Sequence, residues 1–286
     1  MANEVTSTSL AALFTTIQQT ALFTMQEKAF MRPLIRNYNL VGQPGKAAHV
    51  GIYPTVSTAS ITSGEGTNAS NIAITATEKT FTATEVAAMA TLTDLARDSA
   101  NDDTAASIGR VLGETLARKV DEDIAALFSG FSTGVGGGSG TELTPDDILA
   151  AIATLRNSSV VGPYVGVFHP FQTYNLRKVL ANAGAANVPS LSDVGNEVLR
   201  GGYIGRLFGV DIFESAVVTG ASSGAFIGAV MHSDALAFAL KRDLTIETQR
   251  DASLRATEIV ASMTYAVGEL FDAHGVKIIT DASISN

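Results

Sequence analysis

The sequence contains no cysteine, so disulfides, thiolate zinc sites and a cysteine nucleophile are excluded together, and a reducing compartment suits the composition. Charge is scarce too. Only 16% of the 286 residues are Asp, Glu, Lys or Arg, against roughly a quarter in an ordinary soluble protein. A surface built from Ser, Thr, Asn, Ala and Gly has little repulsion to hold copies apart, which favours an assembly over a free monomer. No basic run occurs, and the net charge of −9 argues against a dedicated nucleic-acid binder, which needs clustered Lys and Arg to neutralise phosphates. There is no apolar stretch of about 18 residues to span a membrane. Glu4 stands where a signal peptide would carry basic residues, so export is not expected.

What is present is an apolar fraction of 46%, enough to bury one large core or two smaller ones. The longest regular signal runs from Asp102 to Phe128. Ile108, Leu112, Leu116, Val120, Ile124 and Phe128 recur at every fourth position, with Ala105, Val111 and Leu127 widening the stripe. That spacing predicts one buried helical face, with Asp102 and Asp103 capping the start and Ser129-Gly130 ending the run. At 1.5 Å per residue the helix would be about 40 Å long, a spine for a whole domain. Asp121, Glu122 and Asp123 read as part of its solvated face.

Before the spine lie two segments that lack an obvious core of their own. Leu10, Leu13, Phe14, Ile17 and Ala21 share one face of an uncharged amphipathic arm that Pro33 stops. Such an arm needs another surface to cover it, either its own domain or a neighbouring subunit. From Ala48 to Thr93 the helical period gives way to Thr, Ser, Ile and Val in alternation, with a turn signal at Thr62-Ser63-Gly64-Glu65-Gly66. This predicts a long β-hairpin whose arms, at about 3.3 Å per residue over about 15 residues, project roughly 50 Å. Isolated hairpins of that kind are marginal in water without a partner.

After the spine, Thr133 to Gly140 reads as a Gly-rich loop, and Thr144-Pro145 as the cap and first turn of a helix carrying Ile148, Leu149, Ile152 and Leu155. Strands are predicted at Tyr164–Phe168, Leu207–Phe213, Ala225–Met231 and Val276–Thr280, with helices over Phe171–Leu180 and, more weakly, Leu191–Arg200. Leu244–Gln249 and Ala256–Tyr265 flank Arg250-Asp251-Ala252-Ser253-Leu254-Arg255 as a second protruding hairpin. The succession is α+β.

Catalytic patterns are few. His49, His169, His232 and His274 stand far apart with no metalloenzyme spacing, so no metal site is expected. Gly42 to Ala47 lacks the early Gly and the Ser or Thr of a phosphate loop, and the glycines from Gly134 follow a helix rather than a strand, so no cofactor is expected. Gly220-Ala221-Ser222-Ser223-Gly224 does match G-x-S-x-G, with Asp272 and His274 following in hydrolase order. A serine hydrolase using Ser222 is therefore the enzymatic alternative. It requires a helix directly after the serine, whereas Ala225–Met231 reads as a strand.

The order of arm, long hairpin, spine, mixed region, charged hairpin and final strand resembles that of tailed-bacteriophage major capsid proteins of the Hong Kong 97-type fold. The likeness is closest from Arg250-Asp251-Ala252-Ser253-Leu254-Arg255-Ala256-Thr257-Glu258 through Tyr265-Ala266-Val267-Gly268-Glu269-Leu270-Phe271-Asp272 to Lys277-Ile278-Ile279-Thr280. The resemblance implies an N-arm over residues 1–46 and an extended loop over 47–92. A peripheral domain would take 93–154 and 239–268, and an axial domain 155–238 and 269–286. It further implies a non-enzymatic protein whose hexamers and pentamers tile an icosahedral shell around packaged DNA, without sequence-specific binding or a membrane. Assembly would take place in the host cytoplasm, with a portal as partner and a decoration protein as an optional one. Because the arm begins at once, a separate scaffolding protein is expected. Some members cross-link through a loop lysine and an asparagine; Lys79 is the only lysine of this loop and lies on an arm rather than the tip, so that chemistry is not expected. The candidate intersubunit contacts are Arg250, Asp251 and Arg255 at a three-fold, Glu65 at the loop tip, and Leu13, Phe14 and Ile17 on the arm. Asp251→Arg is expected to block assembly without altering the subunit's melting. A bacterial encapsulin is the alternative within the same fold.

Overall fold

In the computed structural model the described residues are 17–25, 28–53, 74–95, 104–182, 203–218, 220 and 224–281. Residues 17–25 form helix α1, and Thr104–Ala126 form the spine α2, which tightens into a 3-10 turn at Leu127–Gly130. Leu112, Leu116, Val120, Ile124 and Phe128 are buried as their spacing requires, and Ile108 is half-buried. Val111 departs from the expected stripe and is 62% exposed. One position before Leu112, it is turned about 100° away from the core-facing row. Asp102 and Asp103 lie outside the described residues.

The spine packs on a four-stranded sheet ordered β1-β10-β11-β4, comprising Arg36–Asn39 (β1), Thr84–Thr93 (β4), Leu236–Asp251 (β10) and Ala256–Glu269 (β11). β1 runs parallel to β10 and the other pairs are antiparallel. Phe238, Ile246, Ile259, Met263 and Tyr265 face the spine in one core, joined from the other side by Ile17, Ala21 and Met25 of α1. The arm's question is thus answered within the chain for its second half: Ile17, 1% exposed, faces its own spine and not a neighbour. Leu10, Leu13 and Phe14 lie outside the described residues.

Two glycines make this docking possible. A Cβ built on Gly109 would lie 2.7 Å from the Ile17 carbonyl oxygen, and one on Gly113 would overlap the carbonyl of Ala21. The two helices therefore meet backbone to backbone along one side of the spine. Gly113→Leu is expected to favour the isolated helix yet displace α1, lowering stability by about 1–3 kcal/mol, the usual range for an overpacked site. Limited proteolysis should then release the arm while far-ultraviolet circular dichroism stays nearly unchanged; an arm as resistant as in the parent would show that the contact is not needed.

A second, six-stranded sheet has the order β5-β12-β9-β6-β8-β7, from Gly134–Gly138 (β5), Tyr164–Phe168 (β6), Tyr203–Leu207 (β7), Val210–Glu214 (β8), Ala225–His232 (β9) and Gly275–Asp281 (β12). Helix α3, Pro145–Asn157, buries Ile148, Ala151, Ile152 and Leu155 against it and starts with the capping box made by Thr144 and Asp147. Leu149 points outward instead. Helix α4, Pro170–Asn182, is held by Gln172, whose side chain takes the His169 N–H and donates to Phe226 O and Thr280 Oγ1.

Two expectations fail here for the same kind of reason. The glycines after Thr133 are not a loop: β5 pairs in parallel with β12, where a side chain at Gly136 would collide with the Ile279 carbonyl. Leu207–Phe213 is not one strand: Phe208 and Gly209 take positive φ values of 52° and 87° and turn the chain back as a β7–β8 hairpin. In both cases small residues serve close backbone approach or a tight turn, which apolar periodicity does not register. Leu191–Arg200 lies outside the described residues.

Candidate functional site

The predicted long hairpin begins as Ala47–Ile52 (β2) paired antiparallel with Thr77–Thr82 (β3), from Ala47↔Thr82 to Ile52↔Thr77. Lys79 sits on this ladder opposite Val50. Phe81 anchors the base by packing its ring edge against Gly268 of β11, in a small core with Leu40, Ala48, Ala83, Ala239 and Ala266. Beyond that base the strands are mostly exposed. At Ala83 the chain changes sheets, so Thr84–Thr93 belongs with β11 rather than to the hairpin's second arm. The turn at Thr62–Gly66, with Glu65, lies outside the described residues.

Between β4 and the spine runs an open groove of about 650 Å³ lined by Val86, Ala88, Val111, Thr115 and the charged row Glu114, Arg118 and Glu122. The exposed side chain of Val111 is thus explained by position: it lines this groove.

The second hairpin is present as expected, closing at Asp251↔Ala256. Its charges, however, are used within the chain. Arg250 donates two hydrogen bonds to the Asp94 carboxylate, at 2.7 and 2.6 Å. The Asp251 carboxylate accepts from the Ser253 and Leu254 amides and the Ser253 hydroxyl, which together hold its pKa below the usual carboxylate range. Arg255 takes a positive φ of 49° at the turn and is exposed. Asp251→Arg therefore removes the tip's own cap, and the expectation of unchanged melting no longer follows. Leu254, 59% exposed at the tip, is the cleaner probe. Leu254→Asp is expected to leave the melting temperature within error while light scattering shows slower or less complete assembly; normal assembly kinetics would remove the tip from the contacts.

The acidic triplet on the spine is not a solvated face. Asp121 is 4% exposed and accepts the Met31 amide at 3.2 Å, where the chain leaves α1 for β1. Burial pushes its pKa up to about 7 against partial relief from the Met31 and Phe30 amides. Asp123 accepts the Tyr265 hydroxyl at 2.7 Å and pairs with Lys119 at 2.6 Å, tying spine to β11. Glu122, one residue from each and so turned about 100° from both, pairs with Arg118 on the surface.

Ser222 lies outside the described residues, but β9 starts at Ala225, so a strand stands where a nucleophile elbow needs a helix. The Asp272 carboxylate accepts the Ser132 amide at 2.7 Å and the Ser132 hydroxyl. His274 lies with its ring 5.9 Å from that of His232, and the two share a cluster with Asp234. Sequence spacing missed that cluster, since His274 comes 42 residues after His232; the His232-x-Asp234 pair at a strand end was its only local sign. Among the described residues no helix is long and apolar enough to cross a membrane.

A family model described as phage capsid protein matches residues 75–279. Solved structures share the fold at low identity. A chain of Mycobacterium phage Che8 is 21% identical, with a TM-score of 0.65 over 82% of this chain and 84% of that one. The capsid of cyanophage Pam1 is 11% identical, with a TM-score of 0.69 over 88% and 89%. A virus-like particle from Pyrococcus furiosus is 10% identical, with a TM-score of 0.62 over 93% and 98%. A search of curated proteins finds no match.

Proposed function

The chain belongs to the phage capsid protein family and is a major capsid protein of the Hong Kong 97-type fold, many copies of which form the icosahedral shell of the virion; on that premise we propose which of its surfaces make the shell. The family match over residues 75–279, from the hairpin's second strand to β12, carries this reading. The β2–β3 hairpin lies over a neighbouring subunit and fills the groove between β4 and the spine, where Val111 is otherwise exposed. Burial there supplies the ordering free energy that the hairpin lacks alone. The β10–β11 tip meets its copies around a three-fold axis through Leu254 and Arg255, while Arg250 and Asp251 shape the tip. Glu65 contacts the neighbour from the loop tip, and Leu13 and Phe14 extend the arm toward it. The spine and the four-stranded sheet form the peripheral domain and the six-stranded sheet the axial domain, with β5 and α3 packing on the axial side.

We read the role as structural, without catalytic turnover. Hexamers and pentamers assemble in the host cytoplasm with a separate scaffolding protein and a portal, and enclose DNA without reading its sequence. An encapsulin-like shell is the second reading, favoured only by the likeness to the Pyrococcus furiosus particle, which at this identity speaks for the fold. Electron microscopy of the purified chain, co-expressed with a scaffold, tests the proposal. Closed particles of tens of nanometres are expected; a compact monomer or dimer under every condition would overturn it. Nucleic acid or a protein cargo inside the native particle separates the phage shell from the nanocompartment.

A further inference from the structure

Every connection between the two sheets near β9 and β12 passes one small region. The chain leaves the six-stranded sheet at the end of β9, turns through Ser233 to Ala235 and enters β10. It returns from β11 through Leu270 to His274 into β12. The two passages are tied by the Leu270 and Phe271 amides, both donating to the Ala235 carbonyl at 2.9 and 3.2 Å. Because Met231 pairs with Gly275, the next pair beyond the ladder is His232 and His274, which places the two imidazoles side by side. Asp234 closes the group from the turn, with a carboxylate oxygen 3.7 Å from His232 Nδ1. One ligand atom from each of the three residues lies within 4.8 Å of the others. His274 Nδ1 is buried and has no hydrogen-bond partner.

We propose that His232, Asp234 and His274 bind a late first-row divalent cation, of the zinc class, that fastens the crossing between the two sheets. A tetrahedral ion with ligands at about 2.1 Å spaces their atoms about 3.4 Å apart, so small side-chain rotations bring this set onto one ion. Two imidazoles and one carboxylate select zinc, nickel or cobalt over magnesium or calcium, which take oxygen ligands. Arg36 donates to Asp234 Oδ1 at 2.9 Å and leaves Oδ2 for the metal, orienting the carboxylate from β1. His232 would ligate through Nδ1, 3.7 Å from Asp234 Oδ2, giving up to the ion the hydrogen bond it accepts from the Asp234 amide at 3.2 Å. A fourth position is left for water. An ion held here joins both passages and, through Arg36, the strand that follows the arm.

The test uses the full chain after chelation, titrated by calorimetry with zinc chloride and, in parallel, magnesium chloride. One equivalent of zinc and no magnesium should bind, and zinc should raise the melting temperature, since the ligands converge only in the folded chain. His274→Gln and Asp234→Asn should each weaken zinc binding more than about tenfold. His49→Gln, which alters the exposed His49–Glu78 pair on β2–β3, should leave it unchanged. Absence of saturable zinc binding overturns the proposal, as does binding lost in His49→Gln but kept in His274→Gln. Should the site variants misfold, cobalt on the unmutated chain decides: tetrahedral visible bands support the site, and the spectrum of the aquo ion refutes it.

Discussion

Deleting Ser57 to Ile74 is expected to leave a soluble, cooperatively folding subunit that forms no shells. The excision spares the whole base of the hairpin: the β2–β3 ladder from Ala47↔Thr82 to Ile52↔Thr77 remains, and so does the packing of Phe81 on Gly268. Ile74, the one described residue of the removed segment, is exposed and belongs to none of the three apolar clusters. The subunit's melting temperature should therefore move little. Assembly should move completely, because in the proposed shell this segment makes the contact with the neighbouring subunit. Sedimentation and negative-stain microscopy, with scaffold present, read the second effect, and differential scanning calorimetry reads the first. Loss of cooperative unfolding would place the segment in a core, and closed shells from the deleted chain would remove the hairpin from the assembly contacts.

Asp121→Asn is expected to stabilise the subunit at neutral and alkaline pH and to flatten its pH dependence. An acid whose folded pKa rises from 3.8 to about 7 binds its proton more tightly in the native state than in the unfolded chain. Its favourable contribution is therefore complete below about pH 4, declines as the pH climbs, and is lost once the pH passes about 7. At roughly 1.4 kcal/mol per pH unit, the parent should lose about 2–3 kcal/mol relative to the variant between pH 5 and 8. Asparagine keeps an oxygen for the Met31 amide and cannot ionise. Every other ionisable group is common to both proteins, so the difference between two denaturant series isolates Asp121. Parallel pH profiles for parent and variant would show that the carboxyl does not pass through this range. At neutral pH the same residue would hold the exit of the arm with a partly ionised buried group, so α1 should also be less protected from hydrogen exchange at pH 8 than at pH 5, and equally protected in the variant.

Periodicity in the chain determined much of the fold. Leu112, Leu116, Val120, Ile124 and Phe128 had to lie on one side of a helix because 3.6 residues make a turn, and they do. Alternation and turn residues marked the β2–β3 and β10–β11 hairpins, and Thr144 with Pro145 marked the start of α3. The order of these elements carried the family likeness that residues 75–279 then showed. What the linear pattern could not hold was any property that depends on a second segment. Asp121, Glu122 and Asp123 are adjacent in sequence and alike in chemistry, yet one is sealed under Met31, one pairs with Arg118 and one accepts from Tyr265, because α1 and β11 cover different sides of the spine. Gly109 and Gly113 look like weak points in a helix until the backbone of α1 is laid against them. Arg250 finds Asp94, and His232 finds His274, through β-ladders that join residues far apart in the chain. Local propensity is set by a residue and its near neighbours; burial, pKa and side-chain partners are set by whichever distant segment the fold brings against it.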